Sequence, residues 1–389
     1  MPVRAEAIRV PEADIVDWRR RIHANPELSF EEVETSELVA ETLSRFPGVE
    51  VSRPTATSVL GVLRGARPGA TVALRADMDA LPIDEETGLA FASRNPGVMH
   101  ACGHDAHTAM LLGAAAALAD MRARIAGTVK FVFQHAEEQP PGGARELVRA
   151  GVVDDVDAIF GLHVANQERG TIRVAKGPAS TSADQLLLTI RGRGSHGSMP
   201  QHGIDPVLVG AQIVVALNTI VSRAVDPAHM AVVNVGAFRA GQAPNVIPET
   251  AQLGVSVRTT SPEDRELVRR RIAEVVDGVC AAYGAAGEAE WTEGYAIIQN
   301  DDGLAEVALG AAARALGADR AAYGTRSPAS EDFSAYTERV PGCFLTLGGG
   351  TAADGRPYQN HHPKFDIDER VLADGARTEV QIVLDMLGA

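Results

Sequence analysis

Cysteine is scarce in this sequence. The 389 residues contain three cysteines, Cys102, Cys280 and Cys343. So small and odd a set cannot build the disulfide framework that holds many small secreted domains together. Cys280 and Cys343 lie in apolar stretches, which predicts that they are small buried hydrophobes. Cys102 differs from both because histidines surround it.

Clusters of basic residues are also lacking. The formal net charge is -15, which disfavours contact with the phosphates of nucleic acids. No group of basic residues with interleaved aromatic residues offsets this charge. The short run Arg269-Arg270-Arg271 has acidic neighbours in a helical pattern and is interpreted as a solvated helix face. The composition therefore excludes nucleic acid as an expected partner.

Long apolar runs are the third absence. No window approaches the ~18 uninterrupted apolar residues that are typical of a membrane span. The first residues show no positively charged region followed by an apolar core, so no secretory signal is predicted. We therefore expect a cytoplasmic protein without a membrane partner.

The length exceeds that of a usual single core, which predicts two domains. In the first part of the chain, helical and strand-like patterns alternate, which predicts an α/β domain whose sheet is mostly parallel, with helices on both faces. The predicted elements are a helical region 11–46 broken at Asn25-Pro26, strands 58–63 and 71–75, a helix 108–118, a strand 128–133, a helix 143–150 and a strand 158–163.

The pattern then changes. Strand, helix, strand, strand, helix and strand follow one another, which is the order of a ferredoxin-like α+β module. The predicted elements are a strand 185–191, a helix 205–221, strands 230–235 and 251–258, a helix 262–282 and a strand 288–293. We expect this module to be an insertion at 184–293. Residues 1–183 and 294–389 would then form one catalytic domain, ending in a helix 302–316, a strand 343–347 and a helix after Asp368.

The densest group of chemically active residues lies at 100–107. This run, His-Ala-Cys-Gly-His-Asp-Ala-His, holds three histidines, a cysteine and an aspartate. Imidazole and thiolate are ligands that borderline-soft divalent metals prefer. The alternative is a polar loop whose histidines are satisfied by hydrogen bonds. The run predicts a metal site, but spacing alone leaves open which of its residues bind the metal.

Two adjacent carboxylates, Glu137 and Glu138, follow the predicted strand 128–133. Active sites of α/β proteins form at the carboxyl ends of parallel strands. Because neighbouring side chains point in different directions, one glutamate could bind a metal while the other takes a proton from water. The alternative is an exposed acidic pair at the start of a helix. Asp79, after another strand, could orient a metal ligand or cap a turn.

Taken in order, the motifs resemble those of the peptidase M20 family, in particular its amidohydrolase branch. That branch includes hippurate hydrolases, indole-acetyl-amino-acid hydrolases and N-acyl-amino-acid deacylases. The resemblance covers nearly the whole chain. The segments that carry it are 23–28, 75–82, 99–107, 133–138, 161–163, 192–200, 245–248, 330–333 and 361–366.

The resemblance implies two divalent metal ions per subunit, of zinc, manganese, cobalt or nickel, with Cys102 bridging them. The implied ligands are Cys102, His104, Glu138, His163 and His361. Glu137 matches the general base, and Asp79 matches the aspartate behind the site. The inserted module would be a lid and dimerisation domain, and the protein a homodimer. His196 matches a lid histidine that, in related dimers, reaches the partner subunit's site and stabilises the oxyanion.

The expected function is hydrolysis of the amide bond of N-acyl amino acids to a carboxylic acid and an amino acid. Asn245, Arg258 and His135 are expected to contact the substrate. His135 stands where the branch usually has proline, so a loop change is its alternative interpretation. His361 is preferred over His362 because many relatives carry serine at the second position. Two further possibilities are a dipeptidase with two metals and a non-catalytic binding protein on the same scaffold.

Overall fold

The computed structural model describes residues 8–352 and 355–388. The chain divides into two compact units. The first comprises the residues up to Ala179, the segment Ile298–Arg326 and the residues from Glu331 onward. The second comprises Ser180–Ile297 and the short segment Ser327–Ser330.

Helices and strands together cover most of the described residues. The helices are α1 (Glu12–His23), α2 (Val33–Leu43), α3 (His104–Asp120), α4 (Gly143–Arg149), α5 (Pro206–Ala224), α6 (Pro262–Tyr283), α7 (Asp302–Leu316), α8 (Ser334–Thr337) and α9 (Arg370–Leu387). The strands are β1 (Val49–Ser52), β2 (Val59–Arg64), β3 (Arg67–Asp77), β4 (Ala126–Gln134), β5 (Ala158–Ala165), β6 (Ile172–Val174), β7 (Gly177–Pro178), β8 (Asp184–Arg191), β9 (Ser195–His196), β10 (Ala231–Ala240), β11 (Val246–Ile247), β12 (Thr250–Thr259), β13 (Ala286–Thr292), β14 (Gln299–Asn300), β15 (Ala321–Tyr323) and β16 (Gly342–Gly348).

An eight-stranded sheet forms the centre of the first unit, in the order β1-β2-β4-β3-β5-β16-β6-β15. Its four central strands, β4, β3, β5 and β16, are parallel. Alternate residues of one strand enter different cores, as the pleat of a strand requires. In β3, Leu74 belongs to a core that includes residues of α3, α7 and α9, whereas Ala73 belongs to a separate core with residues of α4 and α8. The first unit is therefore an α/β layer structure with helices on both faces of a mostly parallel sheet.

The short strands at and near the edges of this sheet were not predicted from the sequence. β6 and β15 have three residues each, and β1 has four. Such short segments show too little alternation of apolar and polar residues to be recognised. The break in the first helical region is confirmed, because α1 and α2 flank Asn25-Pro26. The predicted start of α3 at 108 is wrong, because the helix begins at His104.

The second unit contains a four-stranded antiparallel sheet, in the order β10-β12-β8-β13, against which α5 and α6 pack. Along the chain these elements follow the predicted order β-α-β-β-α-β. Both helices begin as their sequences suggest. The Asp205 side chain accepts a hydrogen bond from the N–H of Val207, and the Ser261 side chain accepts one from the N–H of Asp264.

Helix α5 alone, among the described residues, is long and apolar enough to cross a membrane by length and composition. The prediction from uninterrupted apolar runs did not identify it, because polar residues such as Gln212 and Asn218 interrupt its apolar sequence. One face of the helix, with Val209, Ile213 and Leu217, is buried in the core of the second unit. This is the pattern of a helix that packs on a sheet.

Candidate metal centre

Gly103 lies between two of the predicted metal ligands, Cys102 and His104, at the start of α3. Its φ angle is 90°, a backbone conformation that residues with a side chain rarely adopt. A Cβ atom at this position would lie 2.3 Å from Cγ2 of Val164, so any larger residue would force the chain to shift. The glycine therefore lets the chain turn sharply from Cys102 into His104, and both of these residues are buried.

Asp79 orients the ring of His104 through hydrogen bonds from one of its two nitrogens, Nδ1. Its Nδ1 lies 2.9 Å from the carbonyl oxygen of Asp79 and 3.2 Å from Oδ1 of the same residue. Since both of these atoms accept hydrogen bonds, Nδ1 carries a proton. Nε2 is buried and has no hydrogen-bond partner among the described residues. In the neutral ring, Nε2 therefore bears the lone pair that a metal would require.

Asp79 also fixes the backbone of Glu138. Its Oδ2 accepts the N–H of Glu138 at 2.9 Å and the hydroxyl of Ser29 at 2.7 Å. Burial alone would raise the pKa of Asp79, but the hydrogen bonds from His104, Ser29 and Glu138 outweigh it and hold the pKa below its ordinary value. An ionised Asp79 thus connects the start of α3 to the segment that follows β4.

The donor atoms form two overlapping groups. Cys102, His104 and His163 make the first, and Cys102, Glu138 and His361 make the second. Within each group the donor atoms all lie within 4.8 Å of one another. Sγ of Cys102 is 3.4 Å from Nε2 of His163, and Nε2 of His361 is 3.1 Å from Oε1 of Glu138. All five residues predicted as ligands are brought together, and Cys102 belongs to both groups.

The two neighbouring histidines of the late loop have different surroundings. His361 has a φ of 70°, which is uncommon for a residue with a side chain, and its N–H donates to the carbonyl of Ala101 at 2.8 Å. His362 stacks on Tyr358 with ring centroids 4.6 Å apart, and its Nδ1 accepts the N–H of Lys364. Of the two, only His361 lies in a donor group.

Glu137 lies on the acidic side of the site. One oxygen of its carboxylate is within 4.8 Å of donor atoms of His104 and Glu138, and it also forms a group with Glu331 and Asp332. Burial, followed by the charges of Glu331 and Glu138, raises the pKa of Glu137 well above its ordinary value. Burial also raises the pKa of Glu331 to about 8.

Arg75 holds this acidic group together, a role that the sequence did not reveal. Its guanidinium donates to Asp77 at 2.5 Å, to Glu331 at 3.0 Å and to Asp332 at 2.8 Å. Gln134 bridges Arg75 and Asp332, because its Oε1 accepts from Nε of Arg75 and its Nε2 donates to the Asp332 carboxylate. Both segments, 75–82 and 330–333, belong to the motifs singled out in the sequence. No local sequence pattern shows, however, that Arg75 and Glu331 meet although they are 256 residues apart.

Other members of the histidine cluster lie outside the two donor groups. Asp105 accepts from Arg19 at 3.1 Å and lies 2.8 Å from Nδ1 of His23. His100 is buried with both ring nitrogens unpartnered among the described residues, and burial lowers its pKa to about 4. His107 lies against Asp77 and Val164.

His135, the residue that departs from the branch pattern, is buried. Its Nε2 lies 3.1 Å from the carboxylate of Glu146, and its Nδ1 lies 3.4 Å from the hydroxyl of Thr55. The ring of Phe30 meets it edge-on at 5.6 Å. These contacts tie the segment after β4 to the first turn of α4.

Three of the predicted site residues belong to the second unit. His196 lies in β9, opposite Val246 of β11, and Asn245 accepts the N–H of Gly197 through its carbonyl at 2.8 Å. His196 and Asn245 are therefore close neighbours in space. Arg258 lies on β12, and its Nη1 is buried without a hydrogen-bond partner among the described residues.

Comparison with known proteins identifies the family of this chain. Residues 73–385 match the family described as Peptidase family M20/M25/M40. The chain is 49% identical over 290 residues to an N-acyl-L-amino acid amidohydrolase of Geobacillus stearothermophilus, covering 74% of this chain and 78% of that protein. It is 39% identical over 376 residues to an N-acetylcysteine deacetylase of Bacillus subtilis, covering 96% of this chain and 97% of that protein.

A solved structure agrees with these sequence matches. The YXEP protein of Bacillus subtilis, described as a dinuclear metal binding peptidase from the M20 family, superposes with a TM-score of 0.85. It is 37% identical, and the match covers 97% of this chain and 98% of that one. The family match over most of the sequence and the full-length relatives show that this chain belongs to the peptidase family M20/M25/M40.

Proposed function

We propose that this protein is a metal-dependent amidohydrolase that splits the amide bond of N-acyl amino acids into a carboxylic acid and a free amino acid. One observation carries the proposal: two donor groups share Cys102, and the carboxylate Glu137 lies beside them. The names of the relatives, an N-acyl-L-amino acid amidohydrolase and an N-acetylcysteine deacetylase, support the substrate class.

The residues fit a pair of divalent metal ions. Nε2 of His104 is buried without a hydrogen-bond partner among the described residues, which is costly unless something else binds it. Oε1 of Glu138 is also buried, and Nε2 of His361 lies 3.1 Å from it without hydrogen-bond geometry. A thiolate, imidazoles and a carboxylate together suit borderline-soft divalent cations. We infer that His104 and His163 would hold one ion, that Glu138 and His361 would hold the other, and that Cys102 would contribute to both sites. Zinc, manganese, cobalt and nickel are all compatible with this donor set.

When bound, two such ions would polarise the acyl carbonyl and make water easier to deprotonate. Glu137 is the residue that we assign as general base. Its carboxylate does not belong to either of the two overlapping ligand groups but lies within 4.8 Å of donor atoms of His104 and Glu138, where it would accept a proton from the attacking water. Burial, followed by the charges of Glu331 and Glu138, raises the pKa of Glu137 and so favours the protonated carboxyl that forms in this step. Glu137 then delivers the proton to the leaving amine.

His196 is assigned to the oxyanion that forms on the acyl carbonyl. Its Nδ1 accepts the N–H of Ser198 at 3.1 Å, so in the neutral ring the proton lies on Nε2. The side chain is exposed, which leaves Nε2–H free to donate.

We assign Arg258 and Asn245 to the carboxylate and polar groups of the substrate. His135 would then fix the conformation of the segment before Glu137 through its contacts with Glu146 and Thr55, rather than bind the substrate.

We also propose that the second unit is a lid and dimerisation domain and that its partner is a second copy of the chain. Strand β10 lies at the edge of its sheet, with backbone groups open to pairing. Apolar side chains are exposed on β10 and α5, among them Val232 at 41%, Phe238 at 40% and Val215 at 67%. Sedimentation of the wild type and of Val232→Lys tests this: a dimer that dissociates in the variant supports it, and a monomeric wild type contradicts it. The cytoplasm is the compartment that we propose.

A substrate panel tests the proposed activity. The protein is reconstituted separately with each of the four metals and assayed on N-acetyl amino acids, N-benzoyl amino acids and free dipeptides. Hydrolysis of the acylated substrates supports the proposal. Preference for free dipeptides would point to a dipeptidase, which needs a carboxylate to bind the substrate's amine. A protein that binds metal but hydrolyses none of them would be a non-catalytic binding protein.

A further inference from the structure

His107, the last histidine of the cluster, lies next to the candidate metal centre but has no ring nitrogen free for a metal. Its Nε2 accepts the backbone N–H of Val164 at 2.8 Å, so this nitrogen bears a lone pair and no proton. The proton of the neutral ring is therefore on Nδ1, which donates to Oδ1 of Asp77 at 2.6 Å. Although Asp77, His104 and His107 also form a donor group, both nitrogens of His107 are engaged.

The residue that His107 holds is the one that orients a metal ligand. The carbonyl of Val164 accepts a hydrogen bond from Nδ1 of His163 at 2.7 Å. That bond leaves Nε2 of His163 facing Sγ of Cys102 at 3.4 Å. Val164 is thus held through its N–H by His107, while its carbonyl holds His163. The two imidazole rings lie 4.5 Å apart between centroids, at an angle of 62°.

Asp77 keeps His107 in this orientation. Asp77 is fully buried, and its other oxygen, Oδ2, accepts from Arg75 at 2.5 Å. A series of hydrogen bonds therefore runs from Arg75 through Asp77, His107 and Val164 to His163. Every side chain in this series except His163 is at most 3% exposed, so water cannot easily replace a lost member.

We infer that His107 is a positioning residue for His163, acting through Val164. The inference rests on the proposed dinuclear centre, in which His163 is a ligand. Without an acceptor at position 107, the N–H of Val164 would be buried and unpaired, and the backbone at residues 163–164 would have to move to satisfy it. His163 would move with it, whereas Glu138 and His361 have no part in the series. Loss of His107 therefore weakens one metal site selectively.

Cadmium binding to the metal-free protein tests this inference without an assay of activity. Cd²⁺ titration and cadmium NMR are applied to the wild type, His107→Leu, His107→Gln, His163→Ala and the control Thr108→Val. The glutamine side chain can present an oxygen to the N–H of Val164, whereas leucine cannot. Thr108→Val removes a neighbouring buried hydrogen bond, from the Thr108 hydroxyl to the carbonyl of Asp77, without breaking the series.

We expect His107→Leu to weaken one of two Cd²⁺ sites about 10–100-fold, the size of effect seen when a residue that orients a metal ligand is lost. The resonance that it loses should be the one that His163→Ala loses. His107→Gln should recover most of the affinity, and Thr108→Val should retain both sites. A folded His107→Leu protein that binds both ions normally, or weakens both alike, overturns the role of His107. Fewer than two ions in the wild type, or an unaffected His163→Ala, overturns the proposed dinuclear centre and the inference with it.

Discussion

Asp79 holds the ring of His104 through two acceptors, its carbonyl oxygen at 2.9 Å and its carboxylate Oδ1 at 3.2 Å from Nδ1. The same carboxylate accepts the N–H of Glu138, so one side chain sets the positions of a residue in each proposed metal site. Replacing it should disturb both sites together. This distinguishes Asp79 from His107, whose hydrogen bond from the N–H of Val164 leads to His163.

We expect Asp79→Ala to lower the affinity for both metals by about 10–100-fold, because His104 and the segment of Glu138 lose their common acceptor. Competition with a chromogenic chelator measures this. Ser29→Ala is the matched control, since it removes one of the hydrogen bonds to Asp79 and leaves the others in place. An Asp79→Ala protein with wild-type affinity would contradict the proposed role.

Glu137→Gln should lower kcat by about a hundred- to ten-thousand-fold, because an amide cannot take the proton from water. Metal content should stay at the wild-type level, since Glu137 is not among the proposed ligands. Inductively coupled plasma spectrometry and steady-state kinetics on one preparation measure both. Glu146→Gln, a change at a carboxylate that faces His135, serves as the control. Near-normal turnover in Glu137→Gln would remove Glu137 from the mechanism.

Cys102→Ser should lower the occupancy of both metal sites, because the thiolate belongs to both donor groups. A serine hydroxyl is a much weaker ligand for borderline-soft cations at neutral pH. Cys280→Ala is the control, since Cys280 is buried in the core of the second unit among apolar residues. Loss of a single ion in Cys102→Ser would argue against a bridging thiolate.

The two late histidines should behave differently. His361→Ala should release the ion shared with Glu138, whose Oε1 lies 3.1 Å from the ring. His362→Ala loses a ring stacked on Tyr358 and should retain both ions. Metal stoichiometry after dialysis against a limiting chelator compares them. The reverse result would mean that the second histidine is the ligand.

A buried glutamate in α9 should make the stability of the protein depend on pH. Glu379 is 5% exposed, and its Oε2 has no hydrogen-bond partner among the described residues. Burial raises its pKa well above the ordinary value of 4.5. Because the folded-state pKa is the higher one, the stability linked to this group is fully present below pH 4.5 and is lost as the pH rises through the folded-state pKa.

Glu379→Gln should therefore raise the free energy of unfolding at neutral and alkaline pH, by about 1–3 kcal/mol, and change it little in acid. Denaturant unfolding of the metal-free protein across the pH range measures this difference. Gln381→Leu is the control, because Gln381 also has a buried, unpartnered oxygen but does not ionise. Equal stabilisation by Glu379→Gln at all pH values would show that ionisation plays no part.

The sequence was sufficient to predict the main helices and strands, and its resemblance to the M20 family pointed to five donor residues that the fold brings together. Metal ligands are drawn from few residue types, and Cys102 and His104 stand in a short dense run. Long helices such as α6 and α9 can also be predicted, because their apolar residues recur at helical spacing. The roles of Arg75 and His107 could not be predicted, because they depend on contacts with Glu331 and Val164 that only the folded chain creates.

The choice between His361 and His362 illustrates the same limit. Both have identical side chains in one loop, and spacing cannot separate them. The difference arises from the backbone of His361, at φ 70°, and from the ring of Tyr358 that His362 stacks upon. Such local geometry follows from tertiary packing, which periodicity does not report.

The order of segments along the chain has a consequence for synthesis on the ribosome. Cys102, His104, Glu138 and His163 precede the second unit in the chain, whereas His361 follows its last residue, Ser330, by 31 residues. Helix α9, which packs against α1, α3 and α7 in the core, is translated after the other described helices and strands. The proposed ligand set is therefore incomplete while the second unit is translated. The proposed site of Glu138 and His361 can be completed only after the second unit has been made.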